Sequence, residues 1–534
     1  MEINITIPKK ILEGINTFLS YLLSYKGIVL TSLVLAITAS TIAFFNDVIV
    51  TYGDAESHLN IAKRVIHSIT PGAAQLGGIW LPIPHLLLVP FVSIDWLWRT
   101  GLAGSIVSGI SFIIAGIYLY KTTLLLTKNK AVSFISFLVF ALNPNVLYLQ
   151  ATPMTEVVLI MFFILSTYYY IQFVMDRSNI LMLIIAAFFT FCATLTRYDG
   201  WFLAVYQALG IGLLYVPTLK KDWSQLEGKV LMFSTLAFFG IGLWFLWGRL
   251  ILGDALYFTS SEFSARTQQI NWYERGELPS YHNIVSAFSY YFITAMSNTG
   301  VIFYLGSLFG FILYLRKKFT LQTLIIAGTL VVPFIFNVIT LFLGQSVIFI
   351  PHLTPVDFEW RLFNVRYGVM MAPTVALFFA YLFQYKSPLK RGILVILCIA
   401  QAGLFLVGYS KIVSLADGTE GLSKSKRPDA ERWIRDNYDE GLVLMDDYAR
   451  TISVVRSGIP MQNIIYIGNQ EYWTESFVEP EKYATWIVMQ RDDSVWTGIY
   501  DDPHNQGRLF KYFQKVYTSP DILIFKRNIV PDIN

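Results

Sequence analysis

The chain has 534 residues, of which 55% are hydrophobic, 16% aromatic and only 14% charged, with a mean hydropathy of +0.53. A soluble globular protein carries about a quarter charged residues, so this composition excludes a purely water-soluble enzyme, and with it a disordered, collagenous or disulfide-framed chain. The net charge of +4 gives no case for a nucleic-acid partner, and the two cysteines, Cys192 and Cys398, lie in apolar stretches where they read as small hydrophobes.

A helix must run for roughly 20 apolar residues to cross a bilayer core, because unpaired backbone groups cannot be left in hydrocarbon. Eleven segments meet this expectation: 27–45, 103–120, 131–148, 157–175, 180–196, 201–217, 230–252, 292–315, 320–343, 367–385 and 392–410. The first follows Lys9, Lys10 and Lys26 without a small-residue cleavage site, so it reads as a retained anchor. Basic residues gather in alternate connections: Lys121, Lys128 and Lys130, then Lys220, Lys221 and Lys229, then Arg316, Lys317 and Lys318, then Lys386, Lys390 and Arg391. The positive-inside rule therefore puts the N-terminus inside and, after eleven spans, the C-terminal region outside.

The outer connections are long, at 46–102, 253–291 and 344–366, and they hold most of the acids near helix ends. Ionisable groups at membrane depth are costly and usually face a cavity or a partner, so chemistry is expected on that face. After residue 410 the pattern becomes water-soluble. Arg427 to Trp433 opens like a helix with Pro428 in its first turn, and strands are expected at Gly441–Met445, Asn463–Ile467, Thr485–Met489 and Ile522–Phe525. The predicted organisation is a polytopic α-helical membrane domain over residues 1–410 and a small α/β domain over 411–534.

Candidate chemistry starts in the first outer loop, where Asp54 and Glu56 stand two residues apart ahead of an amphipathic stretch beginning at His58. One such carboxylate can take a proton from an attacking hydroxyl, or the two can ligate a cation; alternatively they cap a helix and complement its dipole. Further along, Pro71 to His85 alternates Gly and Pro with apolar residues, as in an ordered interfacial turn, and His85 is placed to reach a sugar or phosphate. Glu156 ends Thr152-Pro153-Met154-Thr155-Glu156, which satisfies helix-start rules with Thr152 as cap and still points to the outer side. The turn Arg197-Tyr198-Asp199-Gly200-Trp201, together with Arg361 and Arg366-Tyr367, offers guanidinium forks for phosphate oxygens, with ion pairs to nearby acids as the alternative. The second outer loop, including Asp254, Glu262, Phe263 and Arg266, has the length and polarity of a substrate lid or of a plain connection. No nucleotide-binding fingerprint, zinc-type His pair or nucleophile elbow is present.

Taken in order, these pieces resemble the GT-C superfamily of polytopic glycosyltransferases, in the branch of the protein O-mannosyltransferases and lipid A aminoarabinose transferases. The resemblance rests on Asp54 and Glu56 after the first span, the helix start ending at Glu156, Arg197-Tyr198-Asp199-Gly200, Gly253 to Phe258, Arg366-Tyr367 and the soluble C-terminal domain. It implies inverting transfer from a polyprenyl-phosphate-linked sugar to a glycan, lipid or protein acceptor on the outer face of a cytoplasmic membrane. Asp54 would be the base, with Glu56 set one residue further than in the family's adjacent acidic pair. Arg197, Arg366 and Tyr367 would hold the donor phosphate, and His58, His85, Glu156, Tyr198, Asp199 and Arg361 would line the substrate site. No cofactor is required, since arginine can supply the positive charge; a divalent cation is compatible with the acids. The competing reading is a transporter or flippase of a lipid-linked or anionic solute, but charges crowd one face and no repeat is seen.

Overall fold

The computed structural model describes residues 20–261, 264–317, 319–408, 412–420, 428–447 and 452–528. Lys9, Lys10, Glu262, Phe263, Lys318 and Arg427 lie outside the described residues, as do the side chains of Lys220 and Lys221. The chain forms two compact units, one of Met1–Ile49, Gly78–Pro84 and Gly104–Leu422, the other of Val50–Gly77, His85–Ala103 and Ser423–Asn534.

The first unit is helical. Among the described residues, seven helices are long and apolar enough to cross a membrane, or eight if one bent pair counts as a single span. The protein is thus a multi-pass membrane protein; each of the eleven expected segments contains helix among its described residues, but Lys130–Ala141 and Ile180–Thr194 are shorter than a full span. Its peripheral helices Tyr25–Phe45 and Pro388–Leu406 leave Val34, Ile37, Ile42, Ile396 and Ile399 more than half exposed, as lipid-facing surfaces do. Helix Glu156–Met175, by contrast, is buried along most of its length. Small residues let helices close on it and on one another: a Cβ on Gly310 would stand 1.8 Å from the carbonyl oxygen of Phe378.

Two expected spans are interrupted. Segment 131–148 is two helices, Lys130–Ala141 and Pro144–Leu149, because Asn143 caps the second and Pro144 opens it. Segment 292–315 is the bent pair Ile284–Thr299 and Val301–Lys317, turned by 111° at Gly300, whose φ of +89° suits glycine. The backbone groups freed by this break are paired. Asn143 Nδ2 and Asn145 Nδ2 donate to the Asn298 carbonyl at 2.9 and 3.1 Å, and the Ile302 N–H donates to Gln401 Oε1 at 2.9 Å. The short helix Val413–Glu420 belongs to this unit, with the Ser414 N–H and hydroxyl both donating to Asn145 Oδ1.

The second unit is built on five strands: β1 (Val443–Met445), β2 (Ile464–Ile465), β3 (Trp486–Gln490), β4 (Phe513–Thr518) and β5 (Ile522–Arg527), in the order β2-β1-β3-β5-β4. β1 is parallel to β2 and β3, while β5 runs antiparallel to β3 and β4. The four expected strands are present, and the helix expected near Pro428 runs Pro428–Asn437. Part of the long connection 46–102 folds onto this sheet. Arg64, from helix Gly53–Ile66, pairs with Asp447 just after β1 and stacks 3.7 Å above the Tyr466 ring just after β2. Gln75 bonds Tyr466, and Asn469 donates to Thr70 at 2.8 Å.

Candidate active site

In the helical unit, two distant stretches of chain converge on Glu156. Its helix begins at Glu156 itself, with Thr155 as the preceding cap residue, three positions later than the expected cap at Thr152. The reason is local: Thr152 donates its hydroxyl back to the Leu149 carbonyl, while Thr155 Oγ1 accepts from Arg197 Nη1 at 3.0 Å. Glu156 Oε1 accepts from Arg197 Nη1 at 3.1 Å and from Arg366 Nε at 3.2 Å, and its side chain is fully buried. Arg197 lies in the turn between helices Ile180–Thr194 and Asp199–Tyr215, and its Nε stands 3.4 Å from Asp199 Oδ2. Burial opposes its charge, but the carboxylates of Glu156 and Asp199 outweigh that and push its pKa above the usual guanidinium value.

Arg366 enters from the 3₁₀ turn Val365–Met371. That turn is fixed by Asn364, in the left-handed region at φ +55°, and by Asn298 Nδ2 donating to the Val365 carbonyl at 2.7 Å. Arg366 Nη1 is 3.8 Å from Asp417 Oδ2. The Tyr367 ring serves both cations, its centroid 4.9 Å from Arg197 Cζ and 5.0 Å from Arg366 Cζ. Two guanidinium groups and three carboxylates thus form one largely buried network, in which Glu156 Oε2 has no hydrogen-bond partner among the described residues.

In the second unit, helix Gly53–Ile66 carries Asp54 and Glu56 in its first turn, both partly exposed. Glu56 serves a helix other than its own: its Oε1 accepts the Val454 N–H at 2.6 Å and the Val455 N–H at 3.3 Å, capping Val454–Ser457. One turn beyond Asp54, His58 Nδ1 lies 2.9 Å from Nε2 of His85, and both rings are buried. Burial, and secondarily the His58 ring, holds the His85 pKa well below the ordinary imidazole value. Among the described residues, no group of three or more His, Cys, Asp or Glu side chains is arranged to hold a metal ion.

The fold matches solved structures along almost the whole chain. ArnT from Cupriavidus metallidurans, bound to undecaprenyl phosphate, aligns over 93% of this chain and 98% of its own at 12% identity, with a TM-score of 0.54. The same transferase in its apo state aligns over 92% and 97% at 12% identity, TM-score 0.50. The Archaeoglobus fulgidus oligosaccharyltransferase, in complex with Zn and sulfate, aligns over 94% of this chain and 73% of its own at 11% identity, TM-score 0.51. The chain has the GT-C fold. No protein-family model matches the sequence, and no curated protein sequence does.

On this GT-C fold, the residues singled out from sequence fall into separate settings. Glu156, Arg197, Asp199, Arg366 and Tyr367 form the network of the helical unit. Tyr198, their chain neighbour, turns instead into an aromatic nest, stacked on Phe258 and edge-on to Trp201, with its hydroxyl donating to the Ile79 carbonyl at 2.6 Å. Arg361 is exposed and donates to the Pro351 carbonyl at 3.0 Å. Asp254 closes its own loop, accepting from the Leu256 N–H and the Ser260 hydroxyl. Sequence reasoning missed Asp417, which is 2% exposed. Its signal is modest: Ser414 and Asp417, three residues apart on one short helix, are both buried polar groups on one face.

Proposed function

We propose that this protein is a membrane glycosyltransferase that moves a sugar from polyprenyl phosphate to an acceptor hydroxyl, on the extracytoplasmic face of a cytoplasmic membrane and with inversion at the anomeric carbon. The observation that carries this reading is the GT-C fold shared over 93% of the chain with an ArnT crystallised with undecaprenyl phosphate. In the proposed step the acceptor oxygen bonds to the anomeric carbon as the bond from that carbon to the phosphate oxygen breaks. The hydroxyl proton passes to Asp54, and the phosphate leaves on its lipid. Arg197 and Arg366 meet the charge that grows on that phosphate. Because Glu156, Asp199 and Asp417 already balance them, they act through aligned N–H donors more than through net charge. Glu56, engaged in its helix cap, braces the helix that carries Asp54.

The test is transfer by purified protein in nanodiscs supplied with radiolabelled polyprenyl-phosphate sugars and a panel of hydroxyl acceptors. Wild-type protein is expected to release polyprenyl phosphate, and folded Asp54→Asn to be slower by about 10²–10⁴-fold. Arg366→Ala is expected to weaken donor use by about 10²–10³-fold. Full turnover by Asp54→Asn would remove the base. Movement of the lipid-linked sugar between leaflets without any transfer would replace the enzyme with a flippase.

A further inference from the structure

The His58–His85 pair is a buried hydrogen bond between two imidazoles, and such a bond needs one N–H and one lone pair. Two assignments exist. If His58 Nδ1 donates, the proton of neutral His85 must sit on its Nδ1, which is buried and has no hydrogen-bond partner among the described residues. If His85 Nε2 donates, that same Nδ1 carries only a lone pair.

The surroundings of His85 favour the second assignment. His85 is the fourth residue of helix Pro82–Val92, within the first turn, where the exposed ends of backbone N–H dipoles make the local field positive. Pro82 and Pro84 carry no N–H and the Ile83 N–H is taken by the Leu195 carbonyl, so the His85 amide is the remaining early donor of that turn. Nδ1 is the ring nitrogen nearer its own backbone, and a lone pair there is stabilised by a field that opposes a second N–H.

We propose that His85 is a positioning residue that locks the tautomer of His58: His85 Nε2–H donates to His58 Nδ1, so the His58 proton sits on Nε2. His58 follows Asp54 by four residues and shares its helix stripe. On the side away from His85, His58 then presents a donor and no lone pair. It then cannot compete with Asp54 for the acceptor's proton. The catalytic meaning of the lock rests on the proposed transfer reaction; the lock itself does not.

The experiment separates the two. The chain has six histidines, so ¹⁵N-histidine labelling of the full-length protein in lipid gives a small set of ring signals, with His58 assigned as the one missing from His58→Gln. Wild type is expected to show His58 neutral with Nε2 protonated. His85→Gln, whose amide N–H can still donate, is expected to keep that form, and His85→Phe to lose it. In transfer assays His85→Phe is expected to lower kcat at unchanged donor KM, with His85→Gln restoring it. A His58 proton on Nδ1 in wild type, or an unaltered His58 signal in His85→Phe, overturns the lock. A locked tautomer in a protein that transfers no sugar leaves the lock standing and removes the enzyme. Should His85→Phe fail to fold, the wild-type and His85→Gln spectra still decide.

Discussion

The Glu156 network of the helical unit and the His58–His85 pair of the second unit are both polar centres with buried members, yet they meet the demands of burial by opposite means. Around Glu156 two guanidinium groups meet three carboxylates, and each charge is tolerable only because others stand within 4 Å. At the other centre burial holds His85 toward its neutral form, and a single hydrogen bond joins it to His58. A charged network therefore fails as a whole when one member is removed, whereas a neutral pair fails by titration.

The first way to break this contrast is Glu156→Ala. It leaves the buried Arg366 and the partly exposed Arg197 without their shared acceptor and is expected to cost about 3–5 kcal/mol, read from thermal or denaturant unfolding in detergent. Glu156→Gln keeps an acceptor oxygen and should lose less. A loss below about 1 kcal/mol in the alanine variant would mean that water reaches these arginines and that the network is no stricter than a surface pair.

The second concerns acid. Since the folded His85 lies below its ordinary value of 6.5, the unfolded chain binds more protons between those two values. Stability is accordingly full above pH 6.5 and falls as the pH drops toward the folded value, by up to about 1.4 kcal/mol per pH unit. Unfolding measured from pH 7.5 to 5 should show that slope in wild type and lack it in His85→Phe; a flat wild-type profile would place the histidines in water.

The smallest effect is expected at Glu56, whose carboxylate caps a four-residue helix. Glu56→Ala should cost about 1 kcal/mol and speed amide exchange at Val454 and Val455, with sugar transfer largely kept. If transfer fell as far as in Asp54→Asn, this acid would take part in the chemistry and would not be a cap.

Much of the fold was legible in the sequence because bilayer thickness and strand burial impose their own periods. The apolar runs marked the helices, and Val443–Met445 or Ile522–Phe525 could hardly be anything but buried strand. β4 was not foreseen, since Phe513–Thr518 is mostly polar and partly exposed, as an edge strand is. The 111° bend was missed because Gly300 looks like any glycine in a membrane helix until Asn143 and Asn145 are seen on the carbonyl beside it. At the site, Glu156, Arg197 and Arg366 could be nominated from charge near helix ends. That they share one carboxylate oxygen depends on contacts spanning 41 and 210 residues of chain, which no local pattern encodes. Glu56 is the counterpart, its donor groups being 398 and 399 residues away.

The helix Val413–Glu420 has a practical corollary for anyone recombining such proteins. The change in composition near residue 411 invites a splice there, yet Ser414 and Asp417 are anchored on Asn145 and beside Arg366. A chimaera joined at 411 would import a foreign side chain next to that arginine, whereas a junction placed after Glu420 would carry the native carboxylate along with the helices it serves.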